Sequence, residues 1–383
     1  MKIKELVFYF IKKKKIKSNY PLPFFYKNGI IVIKLISDNG CYGYGEPSPY
    51  FTNFKKLIKD ISILYIKFFK NKNIKLINIS KIKKKIKSRE AKGLLSSFDQ
   101  AILDIVSKEK NVSLPKLFTK KIKNKTINLY ASGGMIFNNQ SYSKTIDEAV
   151  KMENKGFFGY KFRPKFPKLM SSHENRIKYP PSFEAQEFLM AARNIKKKVS
   201  SKFKLMVDLG CRIKNIKEAS YIIEALEDLD FYFIEEPIQR KIEIYKEFFQ
   251  KKKKIKIAGG EHIFDFDLFK KIKKNNIFDF YQPDSNLLLF SELKKISNQL
   301  GKKKIIMHNW CNSVNFASNL SFAFSLKKKI LVESNIIKNP YKKIFKLNNY
   351  EIYKGKSHFK ETPGLGVEMI EFSKDFEVYE KKI

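Results

Sequence analysis

Arginine is scarce here: only Arg89, Arg163, Arg176, Arg193, Arg212 and Arg240 stand among 78 basic residues, although the formal net charge is +40. The surplus is lysine, set in a background of Ile, Asn, Phe and Tyr, the residues that A/T-rich codons encode. A basic surface attracts nucleic acid and acidic lipid. Here the charge reads first as compositional drift, and a basic nucleic-acid binder built on an inert scaffold is the minor alternative. Each arginine, running against the drift, gains weight as a marker. Cysteine is also scarce: Cys41, Cys211 and Cys311 lie far apart with no CxxC pair, which excludes a disulfide framework and a zinc site of the usual spacing. Trp310 is the sole tryptophan. No apolar run approaches the roughly 18 residues of a membrane span. The opening stretch MKIKELVFYFIKKKK has too short an apolar run for a signal peptide, and lysines follow it. A cytoplasmic location is expected.

Hydrophobic residues make up 43% of the 383, ample for a large core. The first 125 or so read as mixed α+β. Residues 2–11 and 30–37 alternate as strands, Asp38-Asn39-Gly40 is a hairpin turn, and the return strand ends at Gly43-Tyr44-Gly45-Glu46-Pro47. Helical periodicity follows over 53–70 and through Ser97–Asp104. The lysine runs 83–85 and 251–254 read as solvated faces. From about 127 the texture changes. Eight short apolar runs, at 127–132, 159–163, 204–209, 231–236, 255–260, 278–283, 305–309 and 330–334, alternate with helical stretches. That alternation predicts a TIM-type β/α barrel. The domains expected are an α+β cap over 1–125, a barrel over 126–340, and a segment over 341–383.

A polar residue closes most of these runs at one repeat length. Steps of 27 and 26 residues separate Asp208, Glu235 and Glu261; steps of 23, 24 and 25 bring in Asp284, His308 and Glu333. Side chains so spaced share the C-terminal rim, where barrel enzymes build their chemistry. Asp208, Glu235 and Glu261 each end an apolar run and are expected to have no neighbouring base to pair with, and three converging carboxylates repel one another unless a cation binds. Hard oxygen donors suit Mg²⁺. His308, one unit after Asp284, forms a candidate dyad in which the carboxylate orients the imidazole. Lys161 and Arg163, two apart on the second strand, face one side. Glu333 closes the eighth strand and is expected to form hydrogen bonds opposite the metal. The 45-residue step from Arg163 to Asp208 exceeds one unit and predicts an insertion around 164–182, where Pro164, Pro167, Pro180 and Pro181 cluster.

The ordered set Lys161-x-Arg163, Asp208, Glu235-Glu236-Pro237, Gly260-Glu261, Gln282-Pro283-Asp284, His308 and Glu333 resembles the enolase superfamily, in particular its mandelate racemase subgroup. The resemblance covers almost the whole chain. Gly43-Tyr44-Gly45-Glu46 and the Ser97–Asp104 helix look like that family's cap, and Pro363-Gly364-Leu365-Gly366-Val367-Glu368 looks like the C-terminal segment that returns to it. It implies a modified (β/α)7β barrel with an α+β capping domain, Mg²⁺ held by Asp208, Glu235 and Glu261, and removal of the proton next to a substrate carboxylate. Such sites, with a Lys or His base and Mg²⁺ stabilising an ene-diolate, are an established pattern.

Two departures bear on the reaction. Gly210 stands where the family often has Asn, and Arg163 stands where it has a second lysine. A guanidinium stays protonated, so it makes a poor base and a good clamp. That leaves His308 as the one clear base and favours dehydration of an acid sugar, an aldonate or aldarate, to a 2-keto-3-deoxy acid. In that reading Lys161 is an electrostatic helper. The runner-up is a racemase or epimerase using Lys161 on the opposite face. Asp284 occupies the sixth-strand place where a cycloisomerase would carry lysine. Specificity is expected from loops around Pro21–Tyr26 and Tyr50–Asn53 and from the insertion bearing His173 and Arg176. A homo-oligomer is expected, with no membrane partner.

Overall fold

The computed structural model describes residues 1–15, 29–48, 54–136, 140–165, 185–211, 213, 216–249, 254–301, 304–370 and 374–383. The two specificity loops and the residues His173 and Arg176 lie outside them, as does most of the expected insertion.

Alternating apolar residues build the cap sheet. Strands β1 (Ile3–Lys13), β2 (Ile30–Ser37) and β3 (Tyr42–Gly45) run antiparallel in sequence order, and the chain's last strand, β16 (Phe376–Lys382), pairs with the outer edge of β1. Leu6, Phe8, Ile31, Ile33 and Leu35 put their side chains against helices α1 (Phe54–Phe68) and α3 (Arg89–Glu109), where Ile61, Tyr65, Leu94, Phe98 and Ile105 complete a core. Helix α2 (Ile79–Lys85) lies between them in sequence. Glycine is required on β3. A Cβ on Gly43 would stand 2.1 Å from the Ala101 carbonyl oxygen, and one on Gly45 would stand 1.9 Å from that of Ser97. Strand and helix therefore touch backbone to backbone, which delivers Glu46 to the side of α3.

Eight parallel strands follow: β4 (Thr126–Ser132), β5 (Gly159–Phe162), β6 (Lys204–Asp208), β7 (Phe233–Glu235), β8 (Lys256–Gly259), β9 (Phe280–Tyr281), β10 (Ile306–Met307) and β11 (Leu331–Asn335). Each pairs with the next, β11 pairs with β4, and a Tyr281–Ile305 bridge joins β9 to the run into β10, closing the barrel. Among the described residues seven helices link the strands: α4 (Ser143–Asn154), α5 (Ala185–Lys198), α6 (Ile216–Asp228), α7 (Ile242–Phe249), α8 (Phe266–Lys274), α9 (Phe290–Leu300) and α10 (Ser313–Ser325). The architecture is a (β/α)7β barrel with an α+β cap. Tyr130, Met206, Phe233, Ala258 and Ile306 form a small separate cluster among the barrel strands, while the large core packs between strands and helices.

After the barrel, β12 (Phe345–Leu347) pairs with β15 (Val367–Met369), and the hairpin of β13 (Tyr350–Tyr353) and β14 (Lys356–Phe359) adds β14 antiparallel to β4. Leu365 donates its N–H to Asp104 of α3 at 2.8 Å. No helix among the described residues is long and apolar enough to cross a membrane.

Many lysines end helices, Lys196–Lys198 on α5 and Lys271, Lys273 and Lys274 on α8 among them, where the helix dipole favours positive charge. The run 83–85 departs from the solvated face expected of it. Lys84 and Lys85 are exposed, but Lys83 is 2% exposed and reaches Glu292 at 2.6 Å and the Leu287 carbonyl at 2.9 Å. Helical phase puts one of three consecutive lysines inward, and there it ties the cap to α9.

Candidate active site

The parallel register sets Asp208 directly beside Glu235, on β6 and β7. Glu236 is next along, with φ of 44°, and its side chain goes the other way. It accepts from the Gly260 N–H at 2.9 Å and Tyr245 hydroxyl at 2.8 Å, and pairs with Arg240 at 3.1 Å. Glu235 thus faces the site while Glu236 braces the turn outside it. Glu261 lies two residues beyond the last residue of β8, in the turn that Gly260 opens at φ of 96°.

Read along the chain these carboxylates were expected to stand unpaired, but His262 directly follows Glu261 and the fold brings further cations to all three. Arg163 Nε donates to Asp208 Oδ2 at 2.8 Å, while Gly210 N–H holds Oδ1 at 2.8 Å. Lys161 Nζ meets Glu235 Oε2 at 2.6 Å and Glu333 Oε1 at 2.9 Å, and Gln282 donates to the same Glu235 oxygen at 2.5 Å. Glu261 takes Arg240 on Oε1 at 2.6 Å, with His262 Nε2 at 3.0 Å, and faces His308 Nε2 with Oε2 at 3.0 Å. The expectation that these acids stand without a neighbouring base is therefore corrected. Neighbouring strands bring Arg163 to Asp208 and Arg240 to Glu261, and strands two places apart bring Lys161 to Glu235, pairings that spacing along the chain cannot reveal.

Arg163 is more constrained than a free clamp. Its Nη1 donates to the Gly133 carbonyl at 2.9 Å, its Nη2 to Ser132 Oγ at 3.1 Å, and its guanidinium lies 4.4 Å from the Trp310 ring. Glu333 in turn accepts from Trp310 Nε1 at 3.0 Å and Asn309 N–H at 3.2 Å. Burial opposes its charge, but Lys161, His308 and Arg163 outweigh that and hold its carboxyl down at about 2.

The dyad is assembled as spacing suggests. His308 Nδ1 lies 2.7 Å from Asp284 Oδ2, both fully buried. Asp284 Oδ1 already accepts three donors, from Asn315, Asn319 and the Asn286 N–H, which leaves Oδ2 as the acceptor for an Nδ1 proton. Nε2 makes no well-aligned hydrogen bond and turns toward the acids. Burial pulls the imidazole pKa down; the charge of Glu333 and the proximity of the Asp284 and Glu261 carboxylates more than reverse this and raise it well above the usual value.

Of the three acids Glu235 is the one whose charge is least compensated. Burial, reinforced by Asp208, Glu333 and Glu261 and only partly offset by Lys161, pushes the Glu235 carboxyl up to about 8. Its Oε1 is buried with no hydrogen-bond partner. An orphaned carboxylate oxygen among all-oxygen donors suits a hard divalent cation. As the side chains stand, no three Asp, Glu, His or Cys groups among the described residues converge closely enough to hold an ion, since each acid is drawn to its own cation.

Sequence reasoning missed Arg240, Asn315 and Asn319 as members of this cluster and quoted Gln282 in a motif without giving it a role. Arg240 carried a signal, as one of six arginines in a lysine-rich chain. Asn315 and Asn319 carried another, the i, i+4 spacing that puts two amides on one helix face.

Comparison with known proteins agrees with this geometry. The family described as Enolase C-terminal domain-like matches residues 144–373. The chain is 26% identical over 357 residues to a D-gluconate/D-galactonate dehydratase of Picrophilus torridus, covering 88% of this chain and 85% of that one. It is 26% identical over 276 residues to an arabinonate dehydratase of Saccharolobus solfataricus, covering 71% and 68%. The fold superposes with a TM-score of 0.80 on a mandelate racemase/muconate lactonizing enzyme-like protein from Roseovarius sp. TM1035, at 18% identity over 96% of this chain and 93% of that one. A family match over more than half the chain, joined to this barrel and cap, makes the protein an enzyme of the enolase superfamily, in its mandelate racemase subgroup.

Proposed function

We propose that the protein is a carbon–oxygen lyase that dehydrates an acid sugar, an aldonate or aldarate, to a 2-keto-3-deoxy acid, with Mg²⁺ as cofactor. The observation that carries this reading is the asymmetry of the bases. His308 presents on its dyad an Nε2 that makes no well-aligned hydrogen bond and faces the acids, nearest Glu261 at 3.0 Å, whereas Lys161 is pinned between Glu235 and Glu333 at 2.6 and 2.9 Å. Lys161 so held keeps its proton and serves no second face, which weighs against a two-base racemase. The two dehydratase-named relatives support the same class of reaction.

Asp208, Glu235 and Glu261 would hold the cation. Bound there, it would supply positive charge for the substrate carboxylate and for the ene-diolate that forms as the α-proton leaves. The protein's own groups do the rest. His308 Nε2 takes the C2 proton. Glu261 must turn from Nε2 to bind a cation, and the imidazole then loses one of the charges that keep it protonated. Lys161 and Arg163 add fixed positive charge beside the carboxylates. The C3 hydroxyl leaves as water with a proton returned by His308, and the enol becomes the 2-keto acid by taking a proton at C3. Incubation with Mg²⁺ and a panel of aldonates and aldarates should yield a 2-keto acid. Silence across a broad panel would count against the proposal.

A further inference from the structure

We infer that Gln100, a residue of the cap, positions the His308–Asp284 dyad through Asn315, so that the cap takes part in orienting the base on the barrel. The inference rests on the reading of His308 as base.

Gln100 is 1% exposed and its amide is fully engaged. Its Oε1 accepts the Glu46 N–H at 2.9 Å; its Nε2 donates to the Ser285 carbonyl at 2.9 Å and to Asn315 Oδ1 at 3.0 Å. Ser285 Oγ donates to the same Asn315 oxygen at 2.9 Å. Two donors on Oδ1 fix which way the Asn315 amide points, and its Nδ2 must then face Asp284 Oδ1, at 2.9 Å. A flipped Asn315 would set a carbonyl against that carboxylate and two donors against its own Nδ2.

Asn319 adds a second amide. It donates to Asp284 Oδ1 at 3.0 Å and to the His308 carbonyl at 2.9 Å, while its own oxygen accepts the Ser285 N–H at 3.0 Å. With the Asn286 N–H at 3.1 Å, Oδ1 is saturated, and Oδ2 is left to His308 Nδ1 alone. From the cap side, Glu46 accepts the Asn312 and Asn315 N–H groups at 2.8 and 3.0 Å, which anchors the start of α10. Every group in the chain from Gln100 to His308 is at most 1% exposed, so no water substitutes for a lost partner without a cavity being made.

The test reads the dyad directly. In the full protein without substrate, the His308 Nδ1–H shared with Asp284 should give a downfield proton resonance that is absent from His308→Asn. Gln100→Met keeps the volume of the side chain and removes its amide; Ser285→Ala removes the other donor to Asn315 and decides the matter if Gln100→Met does not fold. Each should shift or broaden that resonance. Each should also lower kcat about tenfold at unchanged KM on a substrate found by the panel, the effect of about one hydrogen bond. Ser97→Ala, on the same helix and bonded only to the Leu94 carbonyl, should leave both unchanged. A wild-type resonance in folded Gln100→Met or Ser285→Ala would overturn the inference, as would a wild-type protein with no His308 resonance. Because the resonance is read without turnover, failure to find a substrate would count against the proposed reaction and not against Gln100.

Discussion

The two halves of the barrel mouth are held by different means. On β5–β8, charge meets charge: Arg163 on Asp208, Lys161 on Glu235 and Arg240 on Glu261. On β9, β10 and α10, neutral amides do the work, with Asn315 and Asn319 on Asp284 and Gln100 behind them. Ion pairs on long side chains exchange partners when a stronger cation arrives. A buried amide network with every donor and acceptor matched does not, because each broken bond leaves an unpaired polar group. The acid half is thus suited to accept an ion, and the amide half is suited to hold a base still.

His308→Asn attacks the amide half at its working end. Turnover should fall by a factor of about 10³, within the usual span for a lost general base, while Mn²⁺ affinity measured by electron paramagnetic resonance does not fall and rises to the extent that the imidazole had competed for Glu261. Equal losses in both would mean that the halves are not separable.

Arg163→Met acts on the acid half. With the competing guanidinium gone from Asp208, Mn²⁺ should bind about tenfold tighter, the scale of one charge-assisted hydrogen bond. Unchanged or weaker binding would show that Arg163 does not compete for that oxygen.

A smaller effect concerns the joint between cap and barrel. Burial, against the pull of the Asn312 and Asn315 bonds, pushes the Glu46 carboxyl up to about 7 from an ordinary 4.5. Between these values the folded protein holds a proton that the unfolded chain has lost, so stability falls as pH rises through this window and levels off above about 7. The full effect is roughly 3 kcal/mol. The melting temperatures of wild type and Glu46→Gln should therefore shift relative to each other, in favour of the variant, from pH 4.5 to 7. A constant gap would mean that Glu46 is ionised throughout.

Much of this was legible in the sequence because repeat length is a backbone property. Steps of 23 to 27 residues from Asp208 to Glu333 fix which side chains share a rim, and alternation fixed the cap strands. What the spacing does not carry is which partner a side chain finds across the barrel. Arg163 meets Asp208 45 positions away, Gln282 meets Glu235 47 away, and Gln100 meets Asn315 215 away. Compositional drift hid one more: Lys83 looks like its two neighbours and differs only in helical phase. Arg240 shows the converse, since an arginine kept against the drift sat on two of the acids.

The most direct test of the central claim is isotopic. In D₂O with Mg²⁺ and an accepted acid sugar, α-proton removal followed by loss of the C3 hydroxyl predicts a 2-keto acid carrying solvent deuterium at C3, by NMR and mass spectrometry. Deuterium at C2 of recovered substrate, with no water lost, would contradict the account and make the enzyme a racemase or epimerase.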